Sequence, residues 1–344
     1  VIAALLLFAL QAGGQQTPPR VEETIDVRRT IIDAHVYNVD EQIDDLEAKD
    51  FQVLVDGKEA PIESVTWVSE VPGVETIFDD AGNELSRSEV KPPGRLFVVF
   101  VQTDFARNRD RVVGEMGVLQ SFHALLDALE PADRVALFSF DSHLKFRLDF
   151  TTDRDLLEKV FPSVLAIDQP PPPPPAEPPS LASLLTPKEL ADAGSSESAL
   201  ILLARALRRI DGSKTMLLLG WGLGDVIDFR PIITAQTLRA AAELASARVT
   251  VHVFNFGLGR EMSGGLIEVA ADTGGIYSAG PSRLPFSGME HRFIPQLVSM
   301  LQGHFEIEIR SPVPVDLRKL HRLEVHVKGR GYTVIAKNSF VDVP

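Results

Sequence analysis

The run Leu96-Phe97-Val98-Val99-Phe100-Val101 has no polar residue in it. A strand built from it must be covered on both faces, which places it inside a parallel sheet with helices on either side. A polar turn follows, and then a charged opening to a long segment, Asp110 to Leu129. There Val112, Met116, Leu119, Phe122, Leu126 and Leu129 recur at spacings of three and four, predicting a helix that lays this face on the sheet. Strand then helix puts Gln102 to Ala106 at the carboxyl end of the strand, where open α/β sheets bind ligands.

On the N-terminal side the period is two. Ile32, Ala34 and Val36 alternate with polar residues, as do Phe51, Val53 and Val55; Asp56-Gly57 is a hairpin signal, and Ile62, Val65 and Trp67 follow. Val71 to Gly94 is expected to be a loop or short hairpin. After the first helix come a strand Arg134–Phe140, its hairpin partner Leu144–Phe150 and a short helix toward Phe161. Helix Ser198–Ile210, strand Thr215–Leu219, helix Pro231–Ala247, strand Val249–Phe256, helix Met262–Asp272, strand Ile276–Ser278 and helix Arg292–Gln302 complete the alternation. Period two returns in Phe305, Ile307 and Ile309 and in Leu323, Val325 and Val327. Neither β end of the chain has enough apolar residues for a core of its own, so pooling both into one β-sandwich is the expected solution, with two separate β units as the alternative. The expected division is 22–71 and 303–344 for the sandwich and 95–302 for the α/β domain, with a proline-rich loop insertion at 168–194. Pro170 to Pro175 are six consecutive prolines, which form polyproline II; a loop extension is the favoured reading and an SH3-type ligand the other.

The chain has no cysteine, which excludes disulfides, thiolate catalysis and Cys-based metal sites. A net charge of −14 over 344 residues argues against nucleic acid and anionic membrane surfaces as partners. The opening 1–19 reads as an export signal peptide: Val1 to Leu10 is apolar but too short to span a bilayer, and Ala12-Gly13-Gly14 suits cleavage. The expected location is periplasmic or secreted, a retained anchor being the lesser possibility; no later segment is long and apolar enough to cross a membrane.

The order strand, long helix, hairpin, helix, strand, helix, strand, helix from Arg95 to Gln302 resembles the von Willebrand factor type A domain. Asp45 to Val65 (DLEAKDFQVLVDGKEAPIESV), Phe140-Asp141 with Phe150-Thr151, and Asp272-Thr273-Gly274-Gly275 fit an exported group, typical of Acidobacteria, in which such a domain lies between β segments. The resemblance implies a Rossmann-like α/β domain inserted in the sandwich, and a divalent cation held at the strand end by an Asp-x-Ser-x-Ser motif, a Thr and a second Asp. Magnesium wants such hard oxygens in an octahedron. Here the first aspartate falls on Gln102, the two serines on Asp104 and Ala106, the threonine on Ser196 or Glu197, and the second aspartate on Gly220 or Trp221. Both usual aspartates are absent. No metal or other cofactor is therefore expected, Mg2+ included; the residual candidates for a rearranged site are Asp104, Ser196, Glu197 and Asp225.

Enzymatic signatures are lacking. Gly220-x-Gly222-x-Gly224 misses the dinucleotide spacing and Pro231 delays the next helix. The eight histidines do not cluster along the sequence, and neither His-Glu-x-x-His nor Gly-x-Ser-x-Gly occurs. The expectation is a non-catalytic, adhesion-type protein-interaction module with a degenerate metal-dependent adhesion site. Its binding rim would be Gln102, Asp104, Phe105, Arg107, Arg109, Ser196, Glu197, Trp221, Asp225 and Phe229. Trp221, Phe229 and Phe105 would be its apolar anchors if exposed, and a plug for the old cavity if buried. A scaffold or assembly component working through sandwich edges is the alternative; a metal-binding or hydrolytic enzyme ranks last.

Overall fold

The computed structural model describes residues 29–39, 41–70, 73–78, 84–90, 94–103, 109–168, 170–227, 230–257, 263–279, 289–314, 316, 319–329 and 331–342. The proposed signal segment, Asp104, Phe105, Arg107 and Phe229 lie outside them. The chain opens with β1 (Arg29–Asn38), β2 (Glu41–Gln42), β3 (Phe51–Val55), β4 (Lys58–Glu59) and β5 (Ile62–Ser69). The stretch expected as a loop or short hairpin contains a hairpin, β6 (Gly73–Phe78) with β7 (Glu84–Val90). Next come β8 (Leu96–Gln102), α1 (Arg109–Asp127), β9 (Arg134–Phe140), β10 (Leu144–Thr151), α2 (Arg154–Val160), α3 (Pro187–Asp192), α4 (Ser196–Leu207) and β11 (Lys214–Gly220). A small hairpin, β12 (Asp225–Ile227) and β13 (Arg230–Ile232), precedes α5 (Ala235–Ser246), β14 (Val249–Asn255), α6 (Ser263–Thr273), β15 (Tyr277–Ala279) and α7 (Ile294–Met300). The tail is β16 (Gly303–Arg310), β17 (Leu320–Val327), β18 (Tyr332–Ala336) and β19 (Ser339–Val341).

The result is a mixed α/β arrangement, with a central sheet flanked by helices and antiparallel sheets beside it. The central sheet runs β10-β9-β8-β11-β14-β15, parallel except for the β9–β10 hairpin. Both faces of β8 are buried. Val98 and Phe100 pack with Leu200, Leu203, Leu244 and Leu266 from α4, α5 and α6. Phe97, Val99 and Val101 pack with Phe122 and Leu125 of α1, Leu157 of α2 and Leu297 of α7. Each fully buried Val or Phe contributes roughly 1.5–3 kcal/mol, so this strand supplies a disproportionate share of the driving force.

Strands from the two ends of the chain pair directly. β1 lies between β16 and β18, and β3 pairs β17. Ile32, Val53, Phe305, Ile307, Leu323 and Phe340 share one apolar core across the two antiparallel sheets. Pooling solves the shortage each end has alone.

Several expected elements are corrected in detail. In α1 the buried stripe includes Val118, Phe122, Leu125 and Leu126, and Met116, expected in it, is 47% exposed. The stripe turns away because α1 approaches the sheet at Gly114, where an added Cβ would lie 2.5 Å from the Phe256 carbonyl oxygen. The helix expected from Pro231 starts at Ala235, capped by Thr234, whose hydroxyl accepts from Thr237 N, while Pro231 pairs in the small hairpin. The helix expected over Arg292–Gln302 is a π-helical turn, Met289–Phe293, followed by α7. Ser195 caps α4, so that helix begins two residues before the expected Ser198.

Beyond β10 one carboxylate gathers several donors of the proline-rich segment. Asp149, 4% exposed, accepts from Ala176 N (3.1 Å), Ser180 Oγ (2.6 Å), Leu181 N (2.9 Å) and Ala182 N (3.2 Å). Asp149→Asn is expected to destabilise the fold by about 2–3 kcal/mol, since these donors lose a charged acceptor. It should also speed limited proteolysis between Pro170 and Ala182, read by mass spectrometry of the first cleavage products.

Candidate functional site

The carboxyl end of β8 is closed by the side chain it ends on. Gln102, 5% exposed, donates through Nε2 to Ser196 Oγ (3.1 Å) and to the Gly222 carbonyl (2.7 Å). Its Oε1 accepts from Trp221 N and Gly222 N, both at 3.1 Å. One neutral amide thus uses two donors and two acceptor positions to clasp the loop after β11 and the start of α4 to the central strand. Gly220 makes room for it: a Cβ there would sit 2.8 Å from Oε1. Glu197, in the first turn of α4, is buried; its Oε1 accepts from Gly224 N (2.8 Å) and Thr237 Oγ1 (3.4 Å). Gly224 has φ of +102°, a conformation in which glycine carries no Cβ penalty, and it turns the loop back toward Glu197.

Of the residues named from sequence, Gln102, Ser196 and Trp221 meet in this clasp and Glu197 lies beside it. Asp225 is exposed at the start of β12, and Trp221 is half-buried, packed against the core beneath the sheet. Arg109 is the first residue of α1. Sequence reasoning read Gly222 and Gly224 only as turn-forming glycines of the loop and missed Thr237; all three supply partners to Gln102 and Glu197. It also missed Ile232 and Ile233, 41% and 40% exposed beside the small hairpin, and Ile267 on α6, 45% exposed. Two adjacent isoleucines straight after Pro231 were the available signal.

Among the described residues, a magnesium ion does not fit this donor set. Ser196 Oγ is engaged by Gln102, and Glu197 Oε1 faces the Gly224 and Thr237 donors. Gln102 brings an uncharged amide where a carboxylate would be needed to offset dehydration of the ion. A bound phosphate does not fit either, because Trp221 N, Gly222 N and Gly224 N already serve Gln102 and Glu197.

A second cluster brings together in space two histidines that lie far apart in the sequence. His35 and His304 lie with ring centroids 6.0 Å apart, where β1 and β16 pass the α5–β14 turn. Asp33, His304 and Glu306 bring potential metal-ligating atoms within 4.8 Å of one another. Arg248 already fills that position, donating to Asp33 Oδ1 (2.5 Å) and Oδ2 (3.2 Å) and to Glu306. His304 bridges Asp33 (3.3 Å) and Glu70 (3.0 Å), and Arg95 continues the chain from Glu70 to Asp133. Burial alone would lower the His304 pKa, but the facing carboxylates of Asp33, Glu306 and Glu70 push it up to about 11. Burial would raise Asp33, but His304 and Arg248 hold it far below the usual carboxylate range. His35, by contrast, is pushed down to about 4, mainly by burial, and donates Nδ1–H to the Gly303 carbonyl at 2.9 Å. A metal ion would have to displace a guanidinium and deprotonate a strongly held imidazolium. The cluster is an ionic junction between the antiparallel layer and the α/β layer.

No family model matches the chain, and no curated protein matches it. Among solved structures it is similar to a von Willebrand factor type A protein from Catenulispora acidiphila, with 13% identity over 85% of this chain and 73% of that one, at a TM-score of 0.39. It is also similar to the PilB minor pilin from Streptococcus sanguinis, with 10% identity over 74% of this chain and 89% of that one, at 0.38. The conserved hypothetical protein BatB from Bacteroides thetaiotaomicron is similar at 15% identity over 60% of this chain and 98% of that one, at 0.39. Among the described residues no helix is long and apolar enough to cross a membrane.

Two measurements check the site. Gln102→Ala should cost about 2–4 kcal/mol in urea unfolding, because four buried polar groups lose their partner at once. For His304 the sign follows from a folded-state pKa above the unfolded one: its contribution is complete below about pH 6.5 and is lost as pH rises toward about 11. The unfolding free energy of wild type relative to His304→Gln should therefore shrink between pH 7 and pH 10, by at most about 1.4 kcal/mol per pH unit.

Proposed function

We propose that this chain is a non-catalytic protein-interaction module of adhesion type. In this reading residues 95–302 are a von Willebrand factor type A-like domain inserted in a β-sandwich built from 22–71 and 303–344. The first 19 residues direct export, and the protein works in the periplasm or beyond the cell. The observation that carries the reading is the Gln102 clasp: the strand-end loops are held together by a neutral amide, in the place where the resembled family holds a cation. A rim fixed this way needs no ion to be rigid, and rigidity limits the entropy lost when a partner docks. Ile232, Ile233 and Ile267 offer apolar contact surface there, and Asp225 adds a charge at the edge.

A second reading, assembly through a sheet edge, draws support from β5. This eight-residue strand stands at the end of its sheet and pairs β16 on one side.

Capture by the immobilised full chain from an envelope extract separates the readings. The expected result is a specific protein retained equally in EDTA and in magnesium, and reduced at least about tenfold by Ile232→Asp/Ile233→Asp, a 1.4 kcal/mol effect. Capture that requires magnesium would overturn the ion-free rim. Capture unchanged by the double variant would move the contact to the sheet edge.

A further inference from the structure

The proline run is docked along one of its edges and presents the other two. Consecutive prolines fix φ near −65° and keep each preceding residue out of the helical region, so Pro170 to Pro175 forms a left-handed helix of three residues per turn. Exposure follows that period. Pro170, Pro173, Ala176 and Pro179 are half-buried, whereas Pro171, Pro172, Pro174, Pro175, Glu177 and Pro178 are exposed. The segment runs beside β10, the edge strand of the central sheet. Pro170 and Pro172 border a cleft with Lys145 and Phe146, and Pro173, Pro174 and Pro175 border one with Leu148 and Phe150; of these, Pro170 and Pro173 are the half-buried ones.

Both ends of the run are fastened. Before it, Arg147 donates to Asp168 Oδ1 (2.6 Å) and to the Ala166 carbonyl (2.9 Å). After it, Arg134 donates to the Glu177 and Pro178 carbonyls (2.5 and 3.0 Å), and Asp149 accepts from Ala176 N. A mere connecting loop has no need of six prolines held straight at both ends. What the arrangement delivers is two exposed Pro-Pro pairs, Pro171-Pro172 and Pro174-Pro175, on successive turns about 9 Å apart. Grooves lined by parallel aromatic side chains accept such pairs, and a strap already ordered by its own protein loses little entropy on entering one. Exposed Glu177 borders the run, and the chain as a whole carries −14.

We infer that this strap is a preformed ligand for a protein module with an aromatic-lined groove and a Lys/Arg-rich rim. The contact is separate from the strand-end rim and does not rest on the function proposed for it.

The test is calorimetric titration of the full chain with two purified probes: an EVH1 domain chosen for a basic rim, and an SH3 domain chosen for an acidic one. The expected result is saturable one-to-one binding of the EVH1 domain, at least about tenfold tighter than that of the SH3 domain. Pro171→Ala/Pro174→Ala should weaken it by about tenfold or more, and Glu177→Lys by several-fold. Pro173→Ala, which alters the edge facing β10, should stay within about threefold of wild type. Three results would each overturn the proposal: no saturation with the basic-rimmed domain, equal affinity for the acidic-rimmed one, or losses that ignore which edge is changed. Thermal unfolding of each variant, unchanged from wild type, keeps a folding defect from passing for lost binding.

Discussion

Two-sided burial of β8 is the constraint from which the architecture follows. Alternate residues of Leu96–Val101 enter different cores, so a single covering layer would leave half of them in water. Helices must therefore lie on both faces, which requires crossover connections and brings every loop of one kind to the carboxyl end of the sheet. There the strand's last residue is a glutamine, already dry and needing four partners. The loop after β11 and the first turn of α4 are where those partners stand, and Gln102 gathers them. The strand end is closed by an amide that both donates and accepts.

An amide clasp sets different limits on the loops from those a bound ion would set. A cation held by carboxylates keeps waters that a partner's own carboxylate can replace, so binding and metal are linked. Gln102 uses its whole hydrogen-bonding capacity internally. In the proposed reading a partner at this end is held by what surrounds the clasp, where Ile232 and Ile233 expose apolar surface next to Gly224. Such contacts are indifferent to divalent ions and depend on shape.

The ionic junction does a different job. Arg248 leaves the α5–β14 turn with φ of +55°, a conformation L-residues seldom adopt, and reaches Asp33 on β1 and Glu306 on β16. Neighbouring strands of the same antiparallel sheet thereby share one guanidinium with the α/β layer. Buried ion pairs seldom stabilise more than apolar packing of equal volume would, but removing one partner costs several kcal/mol. A network that extends from Glu306 to Asp133 sets how the two layers meet and tolerates little variation in that meeting. His304 takes part as a cation and His35 as a neutral donor to a carbonyl, their rings only 6.0 Å apart but in opposite electrostatic surroundings.

Periodicity alone made the alternating α/β core, the two β ends and the proline interruption legible, because period two, period 3.6 and a φ-locked run are properties of neighbouring residues. That Gln102 stands at the end of β8 and Gly220-Trp221 at the end of β11 was legible too. What Gln102 would bond to was not. Gln102 and Ser196 are separated by 94 residues, and Arg248 and Asp33 by 215, so their bonds exist only once the sheet has assembled. Met116 shows the same limit from the other side: its spacing fitted the buried stripe, but the close approach at Gly114 turned the helix past it. Local sequence determined which elements form and where the strand end lies. Tertiary structure decided which polar groups meet there, because burial makes each of them seek a partner and only the folded chain supplies the candidates.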